Sequence, residues 1–146
     1  MFQIIVITGK NQKLYEAFAV ELAKSKRRTK LIYFTDEVEK YMHAADLLVT
    51  KPGGLTVSEA LACDIPLAVF DAIPGQEEDN AQFLLSHNMA VRIRAGESCG
   101  KTIRIVLADN RRLEDMRSSC ERFDKSKSGE NILWLIRSLT GKEKAL

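Results

Sequence analysis

Residues 47–80, LLVTKPGGLTVSEALACDIPLAVFDAIPGQEEDN, gather the side chains best suited to hold a polar ligand. An apolar run at 47–50 stops at Lys51-Pro52-Gly53-Gly54, and a helical pattern begins at Leu55 or Thr56. Glycines between a strand and a helix let a ligand approach the backbone closely. The free N–H groups of the helix start then face whatever sits there, usually an anion. The same pair can also make a tight turn and nothing more. Two adjacent glycines cost more chain entropy than one turn needs, which tips the reading towards close approach. Thr56-Val57-Ser58-Glu59 fits a capping box, with Thr56 as N-cap and Glu59 at the third helical position. A carboxylate there can instead accept two ribose hydroxyls, each bond worth on the order of 1.5–3 kcal/mol because the acceptor is charged. Gln76-Glu77, behind Pro74-Gly75, offers an amide and a carboxylate suited to a sugar ring. Acidic residues also complement a helix N-terminus; Glu77, Glu78 and Asp79 satisfy that reading, and Gln76 gains least from it. Phe34-Thr35 ends a predicted strand, where the aromatic either packs on a nucleobase or fills the core. Without further information the core is the better reading.

Several classes of function are disfavoured. The 146 residues are 45% hydrophobic and 29% charged, with a formal net charge of +2. That is the composition of an ordinary globular domain, and its field does not demand a nucleic-acid partner. The basic run Lys24-Ser25-Lys26-Arg27-Arg28-Thr29-Lys30 is short and has no interleaved aromatics. It reads as a solvated turn with cations near a helix C-terminus; attraction to an anionic membrane surface is the weaker alternative. Cys63, Cys99 and Cys120 lie far apart, which argues against a disulfide framework or a zinc site and suits a reducing compartment. His43 and His87 stand at no metal or triad spacing and read as surface or capping residues. Ser58 lies in TVSEA, outside any nucleophile elbow. No catalytic residue, metal or cofactor is assigned. The N-terminal apolar run is too short for a signal peptide or a membrane span.

The elements that must position these residues alternate. Strands are predicted at about 2–8, 30–34, 47–50, 65–70 and 90–93. Helices are predicted at about 11–24, 37–44, 55–62, 78–86, 98–108, 111–123 and 130–139. Asn11 and Asn110 are predicted N-caps, and Asn88 a left-handed residue closing the fourth helix. The first strand is apolar throughout, as in a parallel strand buried on both faces. Ile132, Leu133, Leu135, Ile136 and Leu139 predict a last helix docked on the rest. Strands alternating with helices over short connections mean an α/β doubly wound parallel sheet of Rossmann-like order 2-1-3-4-5 with C-terminal helices. Ligands bind such sheets at the carboxyl ends of the strands. Residues 1–146 are read as one domain.

Phe34-Thr35-Asp36, Tyr41-Met42 through Ala45-Asp46, KPGGLTVSE at 51–59, and Pro74-Gly75-Gln76-Glu77 with Asn80 together resemble one family. They look like the C-terminal half of GT-B glycosyltransferases of the family 28 type. The closest likeness is to monogalactosyldiacylglycerol synthases and bacterial diacylglycerol glucosyltransferases, and it covers about residues 2–93. The resemblance implies a domain that binds a UDP-sugar, the donor from which a hexose passes to a lipid acceptor. It implies Phe34 and Thr35 at the uracil, and Gly53, Gly54, Leu55 and Thr56 at the diphosphate. Glu59 would hold the ribose, and Gln76 and Glu77 the sugar, with Asn80 nearby. Gly9 and Asn11 match a GxN loop facing the same cleft.

The departures from that family carry expectations of their own. Its N-terminal acceptor domain, which holds the expected catalytic base, has no counterpart in these residues. Neither does an opening strand with a glycine-rich loop, which in the parent fold lies between strands one and three. The chain therefore reads as a truncated glycosyltransferase that binds UDP weakly and transfers nothing by itself. Its setting would be cytoplasmic, with peripheral contact at the inner face of the membrane. The alternatives are a UDP-sugar 2-epimerase-like domain and a non-catalytic flavodoxin-like binding module.

Overall fold

The computed structural model describes residues 2–71, 75–123, 125 and 127–140. Its elements run β1 (Ile4–Ile7), α1 (Gln12–Ala23), β2 (Thr29–Ile32), α2 (Val38–Ala44), β3 (Leu48–Thr50), α3 (Gly54–Ala62), β4 (Leu67–Phe70), α4 (Gln76–Ser86), β5 (Ala90–Ile93), α5 (Cys99–Ala108), α6 (Asn110–Arg122) and α7 (Ser128–Thr140). Every strand pairing is parallel: β1 with β2, β3 with β4, and β4 with β5. The predicted strand order holds within each sheet, β2-β1 and β3-β4-β5. Among the described residues no ladder joins β1 to β3. The chain divides into two compact units, Met1–Lys40 and Tyr41–Leu146.

In the first unit β1 and β2 run in register from Ile4 opposite Thr29 to Ile7 opposite Ile32. Thr8 continues the pairing, its hydroxyl donating to the carbonyl of Tyr33 at 3.3 Å. The Asn11 side chain caps α1, accepting from the Leu14 amide at 3.0 Å, as predicted. Burial of β1 on both faces is not observed: Ile5 is exposed and its neighbours are half-buried. α1 likewise has no buried residue, and Leu14, Phe18 and Val20 face outward. Two strands about 4.8 Å apart make a surface too narrow to cover a helix stripe.

The second unit has a dry interior. Leu67, Ala68 and Val69 of the central strand β4 are completely buried, which explains the unbroken apolar run that codes for it. Ala68 packs in one cluster with Val91 and Ile93 of β5, Val106 of α5 and Met116 of α6. Asn88, with φ of 55°, closes α4 as predicted. The N-cap of α6 is Asp109, not Asn110: its carboxylate accepts from the Arg112 amide at 3.0 Å, so the helix starts one residue early. The docked last helix is not observed either. α7 forms, but none of its residues is buried, and Trp134 and Leu139 are 67% and 78% exposed. An apolar pattern states what a helix needs to bury and does not name what covers it. Cys63, Cys99 and Cys120 form no disulfide; Cys63 and Cys120 are buried. Burial pushes the Cys120 thiol up to about 11.

Met116 has no exposed surface and no polar atom to re-pair, so truncating it leaves a cavity in the core. Met116→Ala should cost roughly 2–5 kcal/mol, read as a lower midpoint at unchanged slope in urea denaturation.

Candidate functional site

The turn after β3 sets the first half of the site. Pro52 is buried and Gly53 is the N-cap of α3, with extended φ of −68° and ψ of 140° and no side-chain cap. The ladder of α3 opens with the Val57 amide donating to the Gly53 carbonyl at 2.9 Å. The amides of Gly54, Leu55 and Thr56 thus precede the ladder at an exposed helix start. The predicted capping box does not form. Because the helix begins at Gly54, Thr56 is already its third residue and Glu59 sits in the second turn. Glu59 is exposed and, among the described residues, its carboxylate has no hydrogen-bond partner. Leu55 is 84% exposed. Leu55, Thr56 and Glu59 share one helix face by their spacing of three and four.

Neither backbone strain nor crowding requires the glycine pair. Neither Gly53 nor Gly54 has positive φ. A Cβ on Gly53 would meet nothing within 4 Å, and one on Gly54 only Asn80 Nδ2 at 3.8 Å. Turn geometry and internal packing therefore leave both positions free to carry a side chain.

The second half is the start of α4. Gly75, with φ of 115°, is its N-cap, a conformation that L side chains rarely adopt. Pro74 lies outside the described residues. Gln76 and Glu77, predicted on a loop, instead form the first turn of the helix; the Gly75 cap lets α4 begin two residues sooner. Gln76 is exposed and Glu77 half-buried. Asn80 lies one turn further along, on the same face as both. Its Nδ2 donates to the Pro52 carbonyl at 3.0 Å, so the two helix starts are tied directly. Glu78 points to Arg92 of β5, whose Nη2 donates to Glu78 Oε1 at 2.7 Å. The Arg92 bond, then the Gln82 amide, hold the Glu78 carboxyl below its ordinary value of 4.5. The same Glu78 bond raises Arg92.

In the first unit, Gly9 adopts φ of +55° just past β1. Lys10 Nζ lies 4.4 Å from the centre of the Phe34 ring, which joins the loops that leave β1 and β2. Phe34 is 45% exposed, so the core reading of that residue is replaced by a cation-capped aromatic at a strand end. Thr35 Oγ1 accepts from the Glu37 amide at 3.0 Å. The structure thus brings the turn Pro52-Gly53-Gly54 together with Asn80, and Lys10, next to Gly9, together with Phe34. Sequence reasoning missed Lys10 and Arg92, whose partners are strands away and carry no local pattern. Among the described residues no three His, Cys, Asp or Glu side chains cluster to hold a metal ion, and no helix is long and apolar enough to cross a membrane.

Residues 1–130 match the model of the glycosyltransferase family 28 C-terminal domain. The chain belongs to that family. The family 28 domain is 29% identical to a processive diacylglycerol beta-glucosyltransferase of Bacillus subtilis strain 168, over 98% of this chain and 38% of the relative. It is 29% identical to the protein of the same description in Bacillus licheniformis, over 90% of this chain and 34% of the relative. The chain therefore spans little more than a third of the relatives it matches. Among solved structures, Acinetobacter baumannii MurG superposes with a TM-score of 0.78 at 18% identity, over 94% of this chain and 41% of that one. That likeness shows the fold: the family 28 domain here has the α/β architecture of a GT-B glycosyltransferase half.

Two outcomes follow for the site. Asn80→Ala removes one hydrogen bond worth about 0.5–1.5 kcal/mol net, and should speed amide exchange at residues 57–60 more than at β4. The Glu78–Arg92 pair is fully formed above the ordinary Glu78 value of 4.5 and weakens as pH falls through the lowered pKa. Wild-type protein should therefore lose stability on acidification faster than Glu78→Gln, in urea titrations between neutral pH and about pH 3.

Proposed function

We propose that this chain is the donor-binding half of a glycosyltransferase that moves a hexose from a UDP-sugar to a lipid hydroxyl. The observation that carries the reading is the Gly53-Gly54 pair. Both positions are open to a side chain on the protein's side and both lack positive φ, yet they sit where an uncapped helix start offers its amides. A diphosphate fits that chemistry: its oxygens accept from the amides of Gly54, Leu55 and Thr56, and the helix dipole favours its charge. The same groups stabilise the negative charge that grows on the departing diphosphate as the glycosidic bond breaks. Glu59, one turn along, accepts the two ribose hydroxyls. Gln76 and Glu77 meet the sugar from the start of α4, with Asn80 bracing the turn beneath.

The named activity of the Bacillus relatives supports a diacylglycerol-type acceptor. Such an acceptor would set the working protein on the cytoplasmic face of a membrane, with peripheral contact there. No residue here is assigned as catalytic base, so the 146 residues by themselves should bind the donor without transferring its sugar.

Calorimetric titration with UDP tests the reading. Gly54→Val should leave the fold in place and weaken UDP at least about tenfold, because its methyls occupy the space the diphosphate needs. Glu59→Ala should weaken UDP by about ten- to hundredfold, the worth of charge-assisted hydroxyl bonds. Glu114→Ala, on α6, should change nothing. A folded wild-type chain giving no heat up to millimolar UDP would sink the proposal and favour a non-catalytic binding module.

A further inference from the structure

Arg92 lies on β5, beside the end of β4, and is assigned no contact with a ligand. Its side chain is 21% exposed. Nη2 donates to Glu78 Oε1 at 2.7 Å and Nη1 to Glu78 Oε2 at 3.4 Å, a two-pronged grip that fits a planar guanidinium. Nη1 is also 3.7 Å from Asp71 Oδ1. Asp71 follows β4 directly and is held on two further sides. Its Oδ2 accepts from the Ala95 amide at 2.6 Å, and its own amide donates to the Ile93 carbonyl at 3.2 Å. Glu78 belongs to the first turn of α4, where its amide donates to the Gly75 carbonyl at 2.9 Å. One guanidinium therefore touches the last acidic residue before the β4–α4 connection and the first turn after it. Gln76 and Glu77 lie between those two anchors.

We propose that Arg92 is a positioning residue for the sugar end of the donor: by gripping Asp71 and Glu78 together it fixes the start of α4 and so the direction of Gln76 and Glu77. This rests on the donor-site reading above. The geometry explains why an arginine serves here. A lysine ammonium can meet one carboxylate well but has no planar fork to hold two oxygens of Glu78 while facing Asp71. It also explains why the acidic first turn of α4 is not a generic response to the helix dipole, since Glu78 has a fixed partner on another element. The diphosphate turn at Gly53-Gly54 is braced separately, by Asn80 on Pro52. Loss of Arg92 should therefore disturb the sugar contacts and spare the nucleotide contacts.

The experiment measures UDP and UDP-glucose binding by calorimetry, and amide exchange without ligand, in wild type, Arg92→Gln, Arg92→Lys and Asp71→Asn/Glu78→Gln. Arg92→Gln should weaken UDP-glucose about tenfold, the loss of a charge-assisted bond, and leave UDP within about twofold. Arg92→Lys should fall between, and the double carboxylate variant, which keeps Arg92, should reproduce the selective loss. Exchange at residues 78–80 should accelerate in Arg92→Gln while residues 57–60 keep their rates. A loss shared equally by UDP and UDP-glucose would make Arg92 a general stabiliser and overturn the proposal. Unchanged exchange at the start of α4 would overturn it independently of any ligand. Should wild type bind neither nucleotide, the donor reading fails and the sugar role fails with it, whereas selective failure in the variants rejects the role of Arg92 by itself.

Discussion

The hydrogen bond from Asn80 Nδ2 to the Pro52 carbonyl, 3.0 Å long, joins the two helix starts around which the second unit arranges its polar groups. Parallel strands deliver their loops to one edge, but that rule does not fix how two neighbouring loops lie against each other. Asn80 does so here. It sits on α4, one turn past Gln76 and Glu77, and spends its donor on the carbonyl that precedes the glycine pair. The turn can then dispense with a side-chain cap on α3, which leaves the first amides of that helix exposed. A helix N-terminus kept open in this way is suited to an anion, because its partial positive charge is already paid for by folding.

Charge is distributed to the same end. Arg92 takes up Glu78 and faces Asp71, which leaves Glu59 as a carboxylate without a partner among the described residues. Two acidic side chains close in sequence type thus differ in role through their surroundings. Glu78 is held by a guanidinium and an amide that favour its ionised form, whereas Glu59 stands exposed on α3 with its acceptor capacity unused. In the first unit, Lys10 against Phe34 places a cation and an aromatic face together at the ends of β1 and β2.

Two apolar surfaces stand apart from this order. α1 turns Leu14, Phe18 and Val20 outward, and α7 exposes its apolar residues on every side. Each helix follows its periodic pattern, so the local code is obeyed while the burial it calls for is incomplete. Among the described residues β1 and β3 are each paired on one side.

The alternation of apolar runs and 3.6-residue stripes was enough to recover the twelve elements, their parallel pairings and the order within each sheet. Short-range steric and hydrogen-bond preferences determine these, which is why Asn11 and Asn88 were also legible. KPGGLTVSE and PGQE identified the family because local turn chemistry is written in consecutive residues. Only the tertiary structure decided which of those residues are free and which are occupied. It moved the start of α3 to Gly54 and dissolved the capping box, since a glycine N-cap and a threonine N-cap are close in energy and the turn before them chooses. It exposed Phe34, gave Asn80 to Pro52, and brought Arg92 to Glu78 across 14 positions of chain. Such pairings are set by the packing of strands and helices, where the partner of a charge is distant in sequence and no local spacing encodes it.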